Sequence, residues 1–289
     1  MSNRTGVPDA LQVEAPAKVN LFLAVTGRRP DGYHDLVTLM SPVGLADRLT
    51  LRFDVTSSWV RCDHPQVPSD DSNLAIRAAR RFFDAAGRPT RLGIIIDKRI
   101  PVAAGLGGGS SDAAAVLTAL NRRYGNPFSP TALARIGREL GADVPFFFLG
   151  RPAIARGIGD QLTPFADLFP YPTVIVQPHQ PVSTESVYKN LNLGLTKCRE
   201  TVKWYPLNGR ELDTARHLCN DLEGVTVSLC PDVREIKARL LDLGASGALM
   251  SGSGPCVFGL FEDRVRARAA RAALRLDGRW TVYMTLLSG

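Results

Sequence analysis

The chain has 289 residues, 45% of them hydrophobic and 22% charged, with a formal net charge of +7 and a pI near 9.4. That length is more than one hydrophobic core readily fills, so two domains are expected, 1–162 and 163–289; the apolar content excludes wholesale disorder, and no run approaches the ~18 apolar residues of a membrane-spanning helix. The positive excess fits either a polyanionic partner, nucleic acid or a phosphorylated small molecule, or a solvated arginine-rich surface.

Residues 1–15 carry Asp9 and Glu14 and no continuous apolar run, so neither a secretory leader nor an arginine-rich transit peptide is expected. Short β-branched or alternating stretches at 19–25, 49–55 and 92–97, bounded by Gly, Pro or Asp, read as strands. Between the last two, Leu74, Ala78, Phe82 and Ala86 recur every four residues and predict an amphipathic helix over 73–86 that stops before Gly87. A second helix leaves the glycine-rich run and continues over 112–124. A third takes Ser129 as its N-cap, Pro130 as its first residue and Gly141 as its stop. Pro164, Pro170 and Pro172 among turn residues mark the domain boundary. Beyond it, 173–177 reads as a strand, and Val233, Ile236, Leu240 and Leu243 mark one face of a helix closed by Gly244. A strand over 256–261, a helix over 263–276 and a strand over 280–286 follow. Helices and strands interleave throughout, so the class is mixed α and β, without internal repeats. Arg77, Arg80 and Arg81, and Arg264, Arg266, Arg268 and Arg271, sit at the spacing of helix outer faces.

The five cysteines, at 62, 198, 219, 230 and 256, form no C-x-x-C pair, and the four histidines, at 34, 64, 179 and 217, have no ligand spacing with them. Neither a disulfide framework nor structural zinc is expected, in keeping with a reducing cytoplasm.

The segment PVAAGLGGGSSD at 101–112 carries the chemistry. It follows a β-branched strand and opens an Ala-rich helix. Glycines at 105, 107, 108 and 109 let backbone amides approach a ligand, and Ser110 and Ser111 add hydroxyls at the helix start. A helix N-terminus presents unpaired N–H groups and about half a positive charge, so an anion is stabilised there without a lysine. The P-loop is excluded because no lysine follows the glycines. The dinucleotide fingerprint is excluded because Ser110 stands where its third Gly or Ala belongs, and the acidic residue expected near Tyr124 is missing. A Gly-Ser linker is the other reading, but linkers do not join a strand to a strong helix former.

Three ordered motifs, APAKVNL at 15–21, PVAAGLGGGSSDAAA at 101–115 and SGSGPCVF at 251–258, make the chain resemble the GHMP kinases, the superfamily of galactokinase, homoserine kinase and mevalonate kinase. GRRPDGYHDL, GADVPFF, VSTESVYKNL and NDLE narrow the resemblance to members that phosphorylate a cytidine-diphosphate-linked sugar alcohol in the non-mevalonate isoprenoid route. The resemblance implies an α+β, two-domain fold. Its N-terminal domain contains a left-handed β-α-β unit, its C-terminal domain is a ferredoxin-like α/β sandwich, and the active site lies in the cleft between them.

It also implies site residues. Asp143 of GADVP becomes the catalytic base, since a hydroxyl attacking phosphorus must lose its proton. Lys18 becomes its cationic partner, and Asn20, two residues along the strand, a contact on the same face. Without the resemblance, Asp143 reads as a turn aspartate and Lys18 as a strand-edge lysine facing water. Tyr33, His34 and Tyr188 match a cytosine-recognition element, with Thr184 nearby, although each aromatic alone reads equally as core. Asn73, Leu74, Lys98 and Pro101 lie where the family contacts adenine, and Gly105, Leu106, Gly107, Gly108, Gly109, Ser110 and Ser111 where it holds phosphate. Asn73 also reads as a helix cap, Lys98 as a solvated charge, and the 249–261 region as a plain hairpin. The implied cofactors are ATP and Mg²⁺, with Ser110 or Ser111 as a ligand. The expected partner is a small cytidine-diphosphate substrate, without nucleic acid or membrane, the chain being a monomer or weak homodimer. The rival readings are a homoserine or mevalonate kinase and a basic, non-catalytic RNA-binding protein on this fold. Asp160 replaces the family's usual glutamate, and 195–208 matches nothing assigned.

Overall fold

A computed structural model describes residues 9–166, 168–198 and 217–288. It divides into two compact units, Met1–Ala15 with Ala46–Val102 and Gly108–Phe148, and Pro16–Leu45 with Ala103–Gly107 and Leu149–Gly289. Strands β1 (Ala10–Arg28) and β2 (His34–Arg52) each contribute to both units, and the glycine-rich loop is likewise shared.

In the first unit the strand order is β3 (Trp59–Cys62), β4 (Gly93–Asp97), β2, β1. β4 runs antiparallel to β2, pairing Leu49 with Ile96 and Leu51 with Ile94, and parallel to β3, pairing Val60 with Ile94. These side chains are buried while Ile95, on the opposite pleat, is 41% exposed, which is the two-residue period of a strand with one covered face. The cover is α1 (Leu74–Ala85), α2 (Gly108–Arg123), α3 (Pro130–Leu140) and the short α4 (Val144–Leu149). Phe82 and Phe83 of α1 pack with Val116, Leu117 and Leu120 of α2 and Ile136 of α3, each contributing about 1.5–3 kcal/mol by burial. α1 and α3 have the caps expected from their sequence, Asn73 accepting from Ala75 N and Ser129 from Ala132 N. The strand expected to 55 stops at Arg52, and α2 starts at Gly108, so part of the glycine run is helix rather than turn.

In the second unit β5 (Ala153–Arg156) pairs antiparallel with β2 and forms a hairpin with β6 (Gln161–Pro164), and β8 (Cys219–Asn220) lies parallel to β1 at Phe22 and Leu23. A separate antiparallel sheet has the order β11 (Trp280–Leu286), β7 (Pro172–Pro178), β10 (Val257–Leu260), β9 (Gly247–Met250). Helices α5 (Thr184–Lys189), α6 (Glu223–Leu229), α7 (Asp232–Asp242) and α8 (Arg264–Asp277) complete the unit. Val174, Val176, Val257 and Val282 from the sheet meet Ile236 and Leu240 of α7 and Ala267, Ala270 and Leu274 of α8. The hairpin reading of 249–261 is correct, since β9 and β10 pair antiparallel.

The cysteine expectation is corrected. Cys198 and Cys219 form a disulfide 21 residues apart in sequence, with Cα atoms 5.8 Å apart, while Cys62, Cys230 and Cys256 are free. No local spacing signals it. Asp221 brings the pair together, its Oδ1 accepting from the backbone of Lys197 and Cys198 while its own backbone N donates to Leu23 O beside β8.

Candidate active site

The phosphate-loop candidate divides at Gly107. Gly105 and Gly107 hold φ values of +77° and +70°, a left-handed region that glycine enters freely. Gly108 to Ser111 form the first turn of α2, whose first backbone N–H groups have no intrahelical partner. An added Cβ on Gly108 would lie 3.0 Å from Lys98 Nζ and one on Gly109 3.4 Å from Leu74 Cδ1. Side chains thus back this turn closely on one side. Ser111 Oγ and Asp112 Oδ1 are buried without a hydrogen-bond partner among the described residues.

Lys98 is not a solvated charge. Its side chain is 5% exposed, and its ammonium lies 2.6 Å from Asp47 Oδ2 and 2.8 Å from Asp112 Oδ2. Asp47 Oδ1 also accepts from the backbone of Arg99 and Ile100, fixing the chain as it enters the loop. Burial alone would lower the pKa of Lys98, but the charges of Asp112 and Asp47 outweigh it and hold the ammonium above its ordinary range. Burial pushes the Asp112 carboxyl up to about 7 against the pull of Lys98, and the charge of Asp47 adds to the rise. Sequence reasoning missed Asp47, which lies in no motif, and gave Asp112, the last residue of the 101–112 segment, no role of its own.

Asn73 acts as the cap of α1, its Nδ2 donating to Pro68 O at 2.7 Å, and Pro101 is buried. Asp143 is half-buried in the turn between α3 and α4, its carbonyl accepting from Phe146 N. A Cβ on Gly141 in the same turn would sit 3.7 Å from Ser110 Oγ, so this turn borders the first turn of α2.

In the second unit Lys18 is 4% exposed and Asn20 3%, which corrects the water-facing reading. Lys18 Nζ donates to Asn20 Oδ1 at 2.6 Å, and its backbone N donates to Leu106 O at 3.0 Å. Asn20 Nδ2 donates to Thr38 Oγ1 at 2.8 Å, and Thr38 in turn donates to Phe22 O. The lysine is thereby held along its length. Thr38, on β2, gave no sequence signal.

The NDLE motif proves to be a scaffold for the third motif's loop, the Gly-rich turn between β9 and β10. Asn220 Nδ2 donates to Met250 O and Gly252 O, both at 2.8 Å, and Glu223 Oε2 accepts from Met250 N. Asp221 Oδ2 accepts from Val25 N at the far end of the lysine strand.

His34 and Tyr188 are brought together, their rings stacked with centroids 5.2 Å apart at 29°, whereas Tyr33 is 63% exposed. Burial, then the charge of Arg28, lowers the pKa of His34 and favours the neutral imidazole. Thr184 Oγ1 and Ser253 Oγ lie 2.7 Å apart, joining α5 to the third loop. Asp160 sits in the β5–β6 turn, where a Cβ on Gly157 would be 3.0 Å from its Oδ1. Of the unassigned stretch 195–208, residues 199–208 lie outside the described residues.

The family description "GHMP kinases N terminal domain" matches residues 73–151 and "GHMP kinases C terminal" matches 206–279. A curated 4-diphosphocytidyl-2-C-methyl-D-erythritol kinase of Syntrophotalea carbinolica is 49% identical over 270 residues, 93% of this chain and 96% of its own length. A crystal structure of 4-(cytidine 5'-diphospho)-2C-methyl-D-erythritol kinase is 42% identical with a TM-score of 0.79, covering 96% of this chain and all of that one. A homoserine kinase from Cytophaga hutchinsonii, 21% identical with a TM-score of 0.76 over 100% of this chain and 98% of its own, shares the fold alone.

Proposed function

The chain belongs to the GHMP kinases, in the group of 4-diphosphocytidyl-2-C-methyl-D-erythritol (CDP-ME) kinases, and from that premise we propose that it transfers the γ-phosphoryl group of ATP to the 2-hydroxyl of CDP-ME. The products are the 2-phosphate and ADP, in the non-mevalonate route to isoprenoid precursors. The observation that carries the chemistry is the buried lysine: Lys18 is 4% exposed, on a strand whose main chain is bonded to the glycine loop, which supports charge work rather than solubility.

The assigned roles follow. Asp143 accepts the proton of the attacking hydroxyl as the new O–P bond forms and the bond to the β,γ-bridging oxygen breaks, ADP leaving. Lys18 offsets the negative charge that spreads over the transferring group. Asn20 orients Lys18 and meets the substrate. The amides of Gly107 to Ser111 hold the phosphates, and Asn73, Leu74 and the Lys98–Pro101 backbone flank the adenine. Tyr33, His34 and Tyr188 recognise the cytosine, with Thr184 beside them. The two family descriptions fall on either side of residue 162, which supports the 1–162 and 163–289 assignment.

Magnesium fits as a phosphate-bound ion. No group of three or more acidic, histidine or cysteine side chains among the described residues makes a metal cage, but the buried, unpartnered Ser111 Oγ is a hard oxygen donor at the anion site. Ser111, with Ser110 beside it, would hold the ion, which when bound would supply positive charge to offset that of the phosphates.

The test is ADP release with CDP-ME, homoserine and mevalonate side by side. Turnover with CDP-ME alone is expected, falling about 10²-fold or more in Asp143→Asn. Preference for either other alcohol would overturn the assignment.

A further inference from the structure

We propose that Ser251 is a positioning residue for Lys18, a role that rests on the reaction assigned above. Its hydroxyl makes two bonds at once: Oγ donates to Gly105 O at 3.0 Å and accepts from Asn20 N at 3.2 Å. The same Asn20 takes the Lys18 ammonium on its side-chain oxygen at 2.6 Å, and the residue after Gly105 takes the Lys18 backbone N–H at 3.0 Å. One buried oxygen therefore fixes both supports of the lysine, the strand on one side and the glycine loop on the other.

The placement of that oxygen is itself over-determined. Ser251 is fully buried, its backbone N donates to Cys256 O, and its carbonyl accepts from Gly254 N. Asn220 fastens the residues on either side of it through Met250 O and Gly252 O. A Cβ on Gly105 would fall onto the Ser251 carbonyl, so loop and third motif approach as closely as backbone can. All polar atoms of Ser251 are thus engaged in structure. Without the hydroxyl, the buried Asn20 N–H and Gly105 C=O lose a partner together, and Asn20, with the ammonium it holds, is free to shift.

A displacement of about 1 Å in a catalytic group costs up to about 10²-fold in rate. Ser251→Ala is therefore expected to lower kcat about 10- to 100-fold while the dissociation constant for a non-hydrolysable ATP analogue changes less than about threefold, and Ser251→Thr, which keeps the hydroxyl, is expected to recover most of the loss. A purely structural role is separated by a double-mutant cycle: in a Lys18→Met background, Ser251→Ala should change kcat by less than about twofold, because the group it positions is gone. Additive losses in that cycle, undiminished kcat in Ser251→Ala, or equal damage from Ala and Thr would overturn the proposal. Should Ser251→Ala not fold, Ser251→Cys, isosteric with a weaker donor, carries the same comparison. Failure of the substrate assignment is distinct, since it appears in the wild-type enzyme as turnover of another alcohol.

Discussion

Lys98 clasps Asp112 across 14 residues of chain, Nζ to Oδ2 at 2.8 Å, and so ties the entry of the glycine loop to the helix that leaves it. Asp47 completes the clasp with one oxygen on the ammonium and the other on two backbone amides. Removing the ammonium leaves two carboxyls facing each other out of water. Lys98→Met is expected to cost about 3–5 kcal/mol in denaturant unfolding. The same clasp predicts a pH dependence. Asp112 binds its proton more tightly folded than unfolded, about 7 against the ordinary 3.8, so its contribution to stability is complete at the lower pH and is lost as pH rises through 7. In Asp112→Asn, which keeps an acceptor for Lys98, that decline over pH 4–7 should flatten. An unfolding free energy with the same slope in both proteins would remove Asp112 as its source.

What the sequence made legible and what it hid divide along a physical line. The third helix could be read because Ser129, Pro130 and Gly141 signal its ends through local backbone chemistry, and the start of α2 because a glycine run after a strand gives way to an Ala-rich stretch. The burial of Lys18 was hidden, since a strand residue's face depends on what packs against it. Asp47, Thr38 and Ser251 were hidden for a related reason: each acts on backbone groups that tertiary pairing brings to it, at separations of 52, 16 and 231 residues. The Cys198–Cys219 bond belongs with them.

The glycines of the loop are not equivalent. Gly105→Ala combines a φ of +77° with a methyl driven into the Ser251 carbonyl, and is expected to destabilise by roughly 2–5 kcal/mol. Gly109→Ala lies in the first turn of α2 with only Leu74 Cδ1 at 3.4 Å, so its stability should stay within about 1 kcal/mol of wild type. On the phosphate role proposed for Gly107 to Ser111, ATP affinity should nonetheless fall in Gly109→Ala, because the methyl is added within that turn. Thermal unfolding paired with nucleotide titration checks both; equal destabilisation by the two substitutions would contradict the division of the loop at Gly107.

The disulfide gives a count. Protein unfolded without reductant is expected to titrate three thiols, Cys62, Cys230 and Cys256, and five after reduction. Cys219→Ser should leave four in both conditions. Five thiols in the freshly purified, unreduced wild type would show the bond unformed in solution.

His34 carries the last prediction. Burial, and then the positive charge of Arg28, disfavour its imidazolium, so the ring stays neutral below its ordinary 6.5. A neutral ring stacked on Tyr188 presents one donor and one acceptor, which a cytosine edge needs and a cation lacks. The acid limb of kcat/KM for the cytidine substrate should therefore fall below pH 6.5. Arg28→Ala removes the second cause and leaves the first, so the NMR titration midpoint of His34 should rise toward 6.5 without reaching it, and the acid limb should move with it. If the midpoint stays where it is in Arg28→Ala, the arginine charge does not act on the ring; if the midpoint rises and the acid limb does not, the neutral imidazole is not what the substrate meets.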